Sequence, residues 1–369
     1  MAGIYIHIPF CKSKCRYCDF TSYPSKLYLA DAYMACVYKE MKLRAAELKD
    51  RKFDTVYFGG GTPSVIDAMS IVGCMNLIRA EYDLASDAEV TIELNPGTVD
   101  ASKISLYQKA GINRFSIGLQ SANDKILEDI GRIHTAKDFA ETCKLLKGCN
   151  ISADIMIGLK DQTHQDVKEA IDLAQGCGAK HISMYALTPE DGTPIYSDYL
   201  NGDLPDADTV AEQYDLARKY LDERGYRRYE VSNFAKPGFC SRHNINYWKR
   251  GEYIGFGVSA SSFIGDRRFT NTRDLDDYIK CIMTNYYPVV DDAVVEGDDA
   301  KFEMIMLAFR TSEGLSLSRY KQAFGTDFPV DFFEPLKKNV EYLEYENGKV
   351  RIKDRYLYVQ NTILMDFLH

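Results

Sequence analysis

Six short runs of apolar and β-branched residues recur along the first half of the chain, separated by stretches with helical patterns such as YMACVYKEMKLRAAELK. They are IYIHI (4–8), TVYF (55–58), EVTIEL (89–94), RFSIGL (114–119), SADIMIGL (152–159) and HISMYAL (181–187). Strands alternating with helices in this way signal parallel βαβ units. A full eight-unit barrel would need two more strand-helix pairs at the same spacing, whereas the chain beyond Pro189 becomes irregular, with Gly, Pro and Asp turns. The pattern therefore predicts an α/β fold built on a partial, (β/α)6, TIM-like barrel. In such barrels chemistry collects at the C-terminal ends of the strands. At 369 residues, 46% of them hydrophobic, the chain can bury a large core and carry a second, smaller unit.

The polar and glycine-rich features fall where those strands end. After the first strand, YIHIPFCKSKCRYCDF places Cys11, Cys15 and Cys18 at C-x3-C-x2-C spacing. Three thiolates so close can hold three corners of a [4Fe-4S] cube and leave one iron open to a small molecule. A disulfide would strand one of the three, and a structural zinc site wants a fourth protein ligand, for which His7 is the candidate. After the second strand comes Gly59-Gly60-Gly61-Thr62-Pro63-Ser64, where glycines allow close approach to a ligand and Thr62-Pro63 reads as an N-cap and first helical position. The third strand ends in Glu93-Leu94-Asn95-Pro96, which alternates a carboxylate and an amide onto one face. The fourth runs to Gln120, with Arg132 beyond it, and the fifth carries Asp154 in an apolar run. A lone inward Asp needs a cation or hydroxyl donors. Singly each could belong to a structural ion pair; together they look like a nucleoside pocket.

The cysteine run resembles the radical S-adenosylmethionine (radical SAM) proteins. That resemblance implies that the amino and carboxylate groups of the nucleotide's methionine chelate the open iron, and that a reduced cluster cleaves the sulfonium to a 5'-deoxyadenosyl radical. It also implies that Tyr5, Tyr17, Gly60, Gly61, Thr62, Glu93, Gln120, Arg132 and Asp154 line the S-adenosylmethionine region. Within that superfamily essentially the whole chain is similar to the oxygen-independent coproporphyrinogen III oxidase group. Two departures matter. The oxidases carry a fourth cysteine two residues after the third, where this chain has Phe20, and they carry a substantial segment ahead of the motif, whereas Cys11 lies almost at the start. Both departures match the HemW-type heme chaperones.

A third feature agrees with that group: SNFAKPG is followed by HNxxYW, formed by His243, Asn244, Tyr247 and Trp248, the last being the only tryptophan. An imidazole beside two large aromatic faces suits a flat tetrapyrrole, with His243, Tyr247 and Trp248 as candidate heme contacts and Cys240 as another candidate iron ligand. The alternative is a core cluster in which Trp248 packs the barrel. GFGVSASSFIG (255–265) carries Ser261-Ser262 where many of the group carry a histidine.

The expected division is a barrel over 1–235 with a flanking helix and strand, the HNxxYW segment and a connection over 236–297, and a winged-helix-like α+β unit over 298–369. The last contains the amphipathic stretches KFEMIMLAFR and LSLSRYKQAF and strands around an Asn347-Gly348 turn. Acidic residues outnumber basic ones there and the whole chain carries a net charge of −9, so nucleic-acid binding is not expected. No apolar run is long enough to span a membrane, and MAGIYIHIPF reads as a first strand rather than a leader, which points to the cytoplasm. The resemblance implies a heme chaperone that binds a [4Fe-4S] cluster, S-adenosylmethionine and heme and delivers heme to hemoprotein acceptors. A homodimer and membrane contact through partners are compatible with it. The enzymatic alternatives are oxidative decarboxylation of coproporphyrinogen III and a radical reaction on another substrate; no catalytic residue is assigned.

Overall fold

The computed structural model describes residues 2–368. Six parallel strands form its centre in sequence order: β1 (Ala2–Ile8), β2 (Lys52–Gly60), β3 (Asp83–Leu94), β4 (Arg114–Gln120), β5 (Asn150–Ile157) and β6 (His181–Ala186). Each pairs only with its neighbours, and the intervening helices cover one face, as the six-unit reading expects. On that face lie Ile4, Ile6, Val56, Phe58, Ile92, Phe115, Ile117, Ile155, Ile182 and Met184, all essentially inaccessible to solvent. Burying side chains of this kind contributes roughly 1.5–3 kcal/mol each, which makes this layer the main source of stability.

The opposite face follows another rule. Alternate positions of the same strands read Tyr57, Thr91 and Glu93, Arg114 and Ser116, Ser152 and Asp154, and His181, Ser183 and Tyr185. Because side chains alternate along a strand, these polar groups all enter the lumen. The register stacks them in layers: Thr91 beside Arg114, Glu93 beside Ser116, and Asp154 beside Ser183.

The sheet does not stop at the barrel. Past β6 it continues antiparallel through β8 (Asn233–Ala235) to β7 (Arg227–Arg228), and on the other side β1 pairs in parallel with β9 (Glu252–Phe256). From β9 it continues antiparallel through β10 (Ser261–Ile264) and β11 (Arg267–Asn271) to β12 (Val289–Val294), giving twelve strands in all. Within residues 236–297, expected as the HNxxYW segment and a connection, β9 to β12 extend the main sheet, and Ile254, Phe256, Phe269 and Tyr278 join its hydrophobic core. Ser262 is fully buried and accepts the Gly255 amide at 2.9 Å, a structural role.

The remaining unit has its own core, including Ile305, Phe309, Tyr320, Phe328, Val350 and Phe367. Its antiparallel sheet joins β13 (Leu315–Ser316), β15 (Lys349–Ile352) and β14 (Leu343–Glu346). The last two meet at Asn347 and Gly348, both at positive φ (51° and 73°), as a two-residue hairpin turn requires.

Glu40, on the helix Ala30–Ala45, ties the extension to the barrel. Its buried carboxylate accepts the Gly257 amide at 2.9 Å, the Asn271 side-chain amide at 2.8 Å and the Tyr278 hydroxyl at 2.7 Å. Glu40→Ala would leave the Gly257 amide and the Tyr278 hydroxyl unpaired and leave Asn271 only the Gly257 carbonyl, and a loss of about 3 kcal/mol or more is expected in denaturant unfolding. A change within a few tenths of that baseline would mean the extension is held by its apolar core alone.

Candidate cofactor site in the barrel lumen

The loop after β1 carries the three cysteines to the mouth of a lumen cavity of about 470 Å³, which all three line. Cys11 is buried, Cys15 and Cys18 are half-buried, and none is in a disulfide. Each of the first two sulfurs meets a donor: Thr62 Oγ1 lies 3.5 Å from Cys11 Sγ, and the Arg132 guanidinium 3.6 Å from Cys15 Sγ. Burial raises the Cys11 thiol, with the Thr62 hydrogen bond opposing the rise, and iron takes such sulfurs as thiolates. Among the described residues no three His, Cys, Asp or Glu side chains converge on a single-ion position. A cube spreads its thiolates over three irons, so the donor set fits a [4Fe-4S] cluster better than one zinc ion. His7 is not a fourth ligand in this arrangement. It is buried, with Nδ1 3.0 Å from the Tyr5 hydroxyl and Nε2 2.9 Å from the Thr21 carbonyl, and burial lowers its pKa to about 4.

The glycine loop packs directly on the cysteine loop. A side chain at Gly61 would come within 2.7 Å of the Phe10 carbonyl and 2.9 Å of Cys11 Sγ, and Gly60 adopts φ +117° against the His7 ring. Thr62 does not cap the following turn with its side chain. Its hydroxyl instead faces Cys11 and accepts from Asn95 at 2.8 Å. Arg132 spans the mouth, donating to Asn95 at 2.8 Å and to the Gly118 carbonyl at 3.0 Å. Gln120 closes β4 at φ +67°, beside a register shift against β5. A non-glycine residue in that region is strained, and such strain gathers at sites that hold ligands.

Deeper in the lumen, Glu93 accepts the Tyr57 hydroxyl at 2.7 Å and the Gly60 amide at 3.2 Å. Asp154 has the hydroxyl donors expected for an inward carboxylate, Ser116 at 3.3 Å and Ser183. Burial raises Glu93 to about 7, with Asp154 adding to the rise, and raises Asp154 to about 6 against those hydroxyl donors. Thr91 Oγ1 is buried, lines the cavity and has no protein partner. The lumen therefore offers two proton-binding carboxylates and an orphaned hydroxyl, a polar chamber suited to a hydroxyl-rich cation.

Of the expected nucleotide contacts, Tyr17, Gly60, Gly61, Thr62, Glu93, Gln120, Arg132 and Asp154 line this cavity. Tyr5 does not; it stands one row behind, its ring 6.2 Å from that of Tyr57. Tyr57, Arg114, His181 and Tyr185 line the lumen without having been singled out from the sequence.

The HNxxYW helix (Arg242–Trp248) is positioned at the opposite end of the strands. Ser241 caps it, and Glu89 accepts the His243 amide at 3.0 Å. His243 is buried, with Nδ1 2.8 Å from Thr55 Oγ1 and Nε2 2.8 Å from the Tyr247 hydroxyl, and burial lowers its pKa to about 3. Its ring stacks 5.1 Å from Tyr57. Both nitrogens are engaged within the protein, and His243 packs and hydrogen-bonds in the barrel floor. Trp248 lines a separate cavity on the far side of this helix.

A carboxyl that binds its proton more tightly folded than unfolded contributes stability at low pH and loses it as pH rises, here from 4.5 through about 7 for Glu93. In ligand-free protein the stability of Glu93→Gln relative to wild type should therefore rise with pH across that window, read as denaturation midpoints. A pH-independent difference would refute the raised carboxyl.

The Radical SAM superfamily model matches residues 5–174, and the HemN C-terminal domain model matches residues 295–361. The heme chaperone HemW of Bacillus subtilis (strain 168) is 34% identical over 347 residues, covering 92% of this chain and 92% of that protein. The heme chaperone HemW of Escherichia coli (strain K12) is 36% identical over 321 residues, covering 84% and 83%. The solved structure of the Escherichia coli coproporphyrinogen III oxidase HemN, a radical SAM enzyme, superposes with a TM-score of 0.87 over 100% of this chain and 90% of that one, at 21% identity, a likeness of fold. With the barrel, the cysteine loop and relatives of this extent, the chain belongs to the HemW family of the radical SAM superfamily.

Proposed function

We propose that the protein is a cytoplasmic heme chaperone: it binds a [4Fe-4S] cluster through Cys11, Cys15 and Cys18, binds S-adenosylmethionine in the lumen, and carries heme to hemoprotein acceptors. The observation that carries the reading is the convergence of three free cysteines on the mouth of a polar lumen, in a chain whose full-length relatives are named heme chaperones. A bound cluster would supply an open iron for the methionine end of the nucleotide and an electron for its sulfonium.

The chain's own residues would do the rest. Gly60, Gly61 and Gln120 border the pocket, and Thr62 and Arg132 would donate to the sulfurs of Cys11 and Cys15. Glu93 and Asp154 would face the cationic nucleotide as carboxylates. Since Glu93 is raised to about 7, binding of the cation would release a proton below that pH, and affinity for S-adenosylmethionine is expected to strengthen as pH rises through about 7. Calorimetry in buffers of different ionisation enthalpy reads that release; none at about pH 6 would remove Glu93 from the nucleotide contacts.

No helix among the described residues is long and apolar enough to cross a membrane. The test of function is transfer: heme-loaded protein is expected to restore activity to an apo-hemoprotein faster than free heme at equal concentration. Failure of transfer, together with protoporphyrinogen formation from coproporphyrinogen III by the reduced, cluster-loaded protein, would replace the chaperone reading with the oxidase. Cys15→Ala should abolish the brown absorbance that follows anaerobic reconstitution, and an unchanged spectrum would remove Cys15 from the cluster.

A further inference from the structure

A second cavity, of about 530 Å³, lies on the other side of the HNxxYW helix, between it and the C-terminal unit. Its volume falls within the range of roughly 300–1,000 Å³ typical of organic ligand sites. The two bodies meet around it through the Glu230–Thr311 bridge, the Ser312 amide on the Tyr229 carbonyl at 3.0 Å, and the Arg250–Glu303 ion pair at 2.7 Å. The walls therefore come from both units.

Its lining differs in kind from the lumen. Trp248, Ile245, Met304 and Leu315 give it apolar surface. Around them stand Lys249, Arg319 and Lys349, with Glu313 the one carboxylate in the lining. Both lysines share Glu313, at 3.5 Å each, which leaves an excess of positive charge. In a chain of net charge −9 this is a local inversion, and it calls for an anionic occupant. Cys240, half-buried, adds a soft sulfur ligand to the same lining.

Apolar walls, surplus cations and a thiol match a flat macrocycle that bears two carboxylates and an iron. The lumen is a poorer match, since its lining includes the carboxylates Asp19, Glu93, Asp154 and Glu190, which would oppose propionates. We propose that the cavity between the HNxxYW helix and the C-terminal unit is the heme site, with Cys240 as axial ligand to ferric iron and Lys249, Arg319 and Lys349 facing the propionates. This rests on the chaperone reading above. On coordination the Cys240 thiol gives its proton to solvent and its sulfur donates an electron pair to the iron, with no change of oxidation state.

The experiment is a titration of the full-length protein with ferric heme, followed at the Soret band, for wild type, Cys240→Ser and Arg319→Glu. Arg319 is exposed but donates to the Lys249 carbonyl across the cavity, so an unchanged thermal midpoint is required of its variant before its heme affinity is read. We expect Cys240→Ser to move the Soret maximum, and Arg319→Glu to weaken binding about tenfold while leaving the maximum in place. Tight binding by wild type with both variants unchanged in affinity and spectrum would overturn this site while leaving the chaperone reading intact. Absence of heme binding by wild type would overturn both.

Discussion

The fold depends on one constraint: the inner face of its parallel sheet is polar. Parallel strands in α/β proteins are generally apolar on both faces, because helices or a packed barrel interior cover each side. Here only the outer face obeys. The inner one carries Glu93, Arg114, Asp154 and His181, and every one has at least one partner: Tyr57 and Gly60, the Phe239 carbonyl, Ser116, and Ser152 with Tyr229. Burying that many polar groups is tolerable only when they are hydrogen-bonded, and the orphaned Thr91 hydroxyl marks where the protein alone falls short. A barrel built this way is stabilised by its outer layer and left polar inside for a ligand. The cysteine loop, the glycine loop and Arg132 can then be arranged around its mouth without burying further apolar surface.

Much of this was legible in the sequence. All six strands are present within a few residues of their apolar runs, because length and β-branched content mark buried strands well. Cys11, Cys15 and Cys18, and the residues from Gly60 to Asp154, meet at one end because parallel strands deliver all their C-terminal loops there. The polar lumen was also written in the chain, as the alternation in RFSIGLQ and HISMYA, yet only the carboxylates Glu93 and Asp154 of that row stood out against their apolar neighbours.

The rest lay beyond local pattern. That β9 would pair with β1, some 250 positions away, is set by the open edge a six-strand barrel leaves and by no nearby signal. The HNxxYW segment is ambiguous in sequence for a different reason. An imidazole with two aromatics reads the same whether it faces a ligand or a core, and only the positions of Thr55 and Tyr247, each 2.8 Å from a ring nitrogen, separate the two. Thr62 likewise had the signature of a helix cap, and Cys11, a tertiary neighbour, takes its hydroxyl instead.

The stretch from Cys240 to Trp248 is a partition with a cavity on either side. Ser241 and Asn244 face the lumen, while Cys240, Ile245 and Trp248 face the space beneath. Glu89 fixes this wall on one side through the His243 amide. Should filling one chamber shift it, thermodynamic reciprocity requires filling the other to exert an equal effect in return. A substitution in those nine residues touches the lining of both chambers, so its effect has to be read on both.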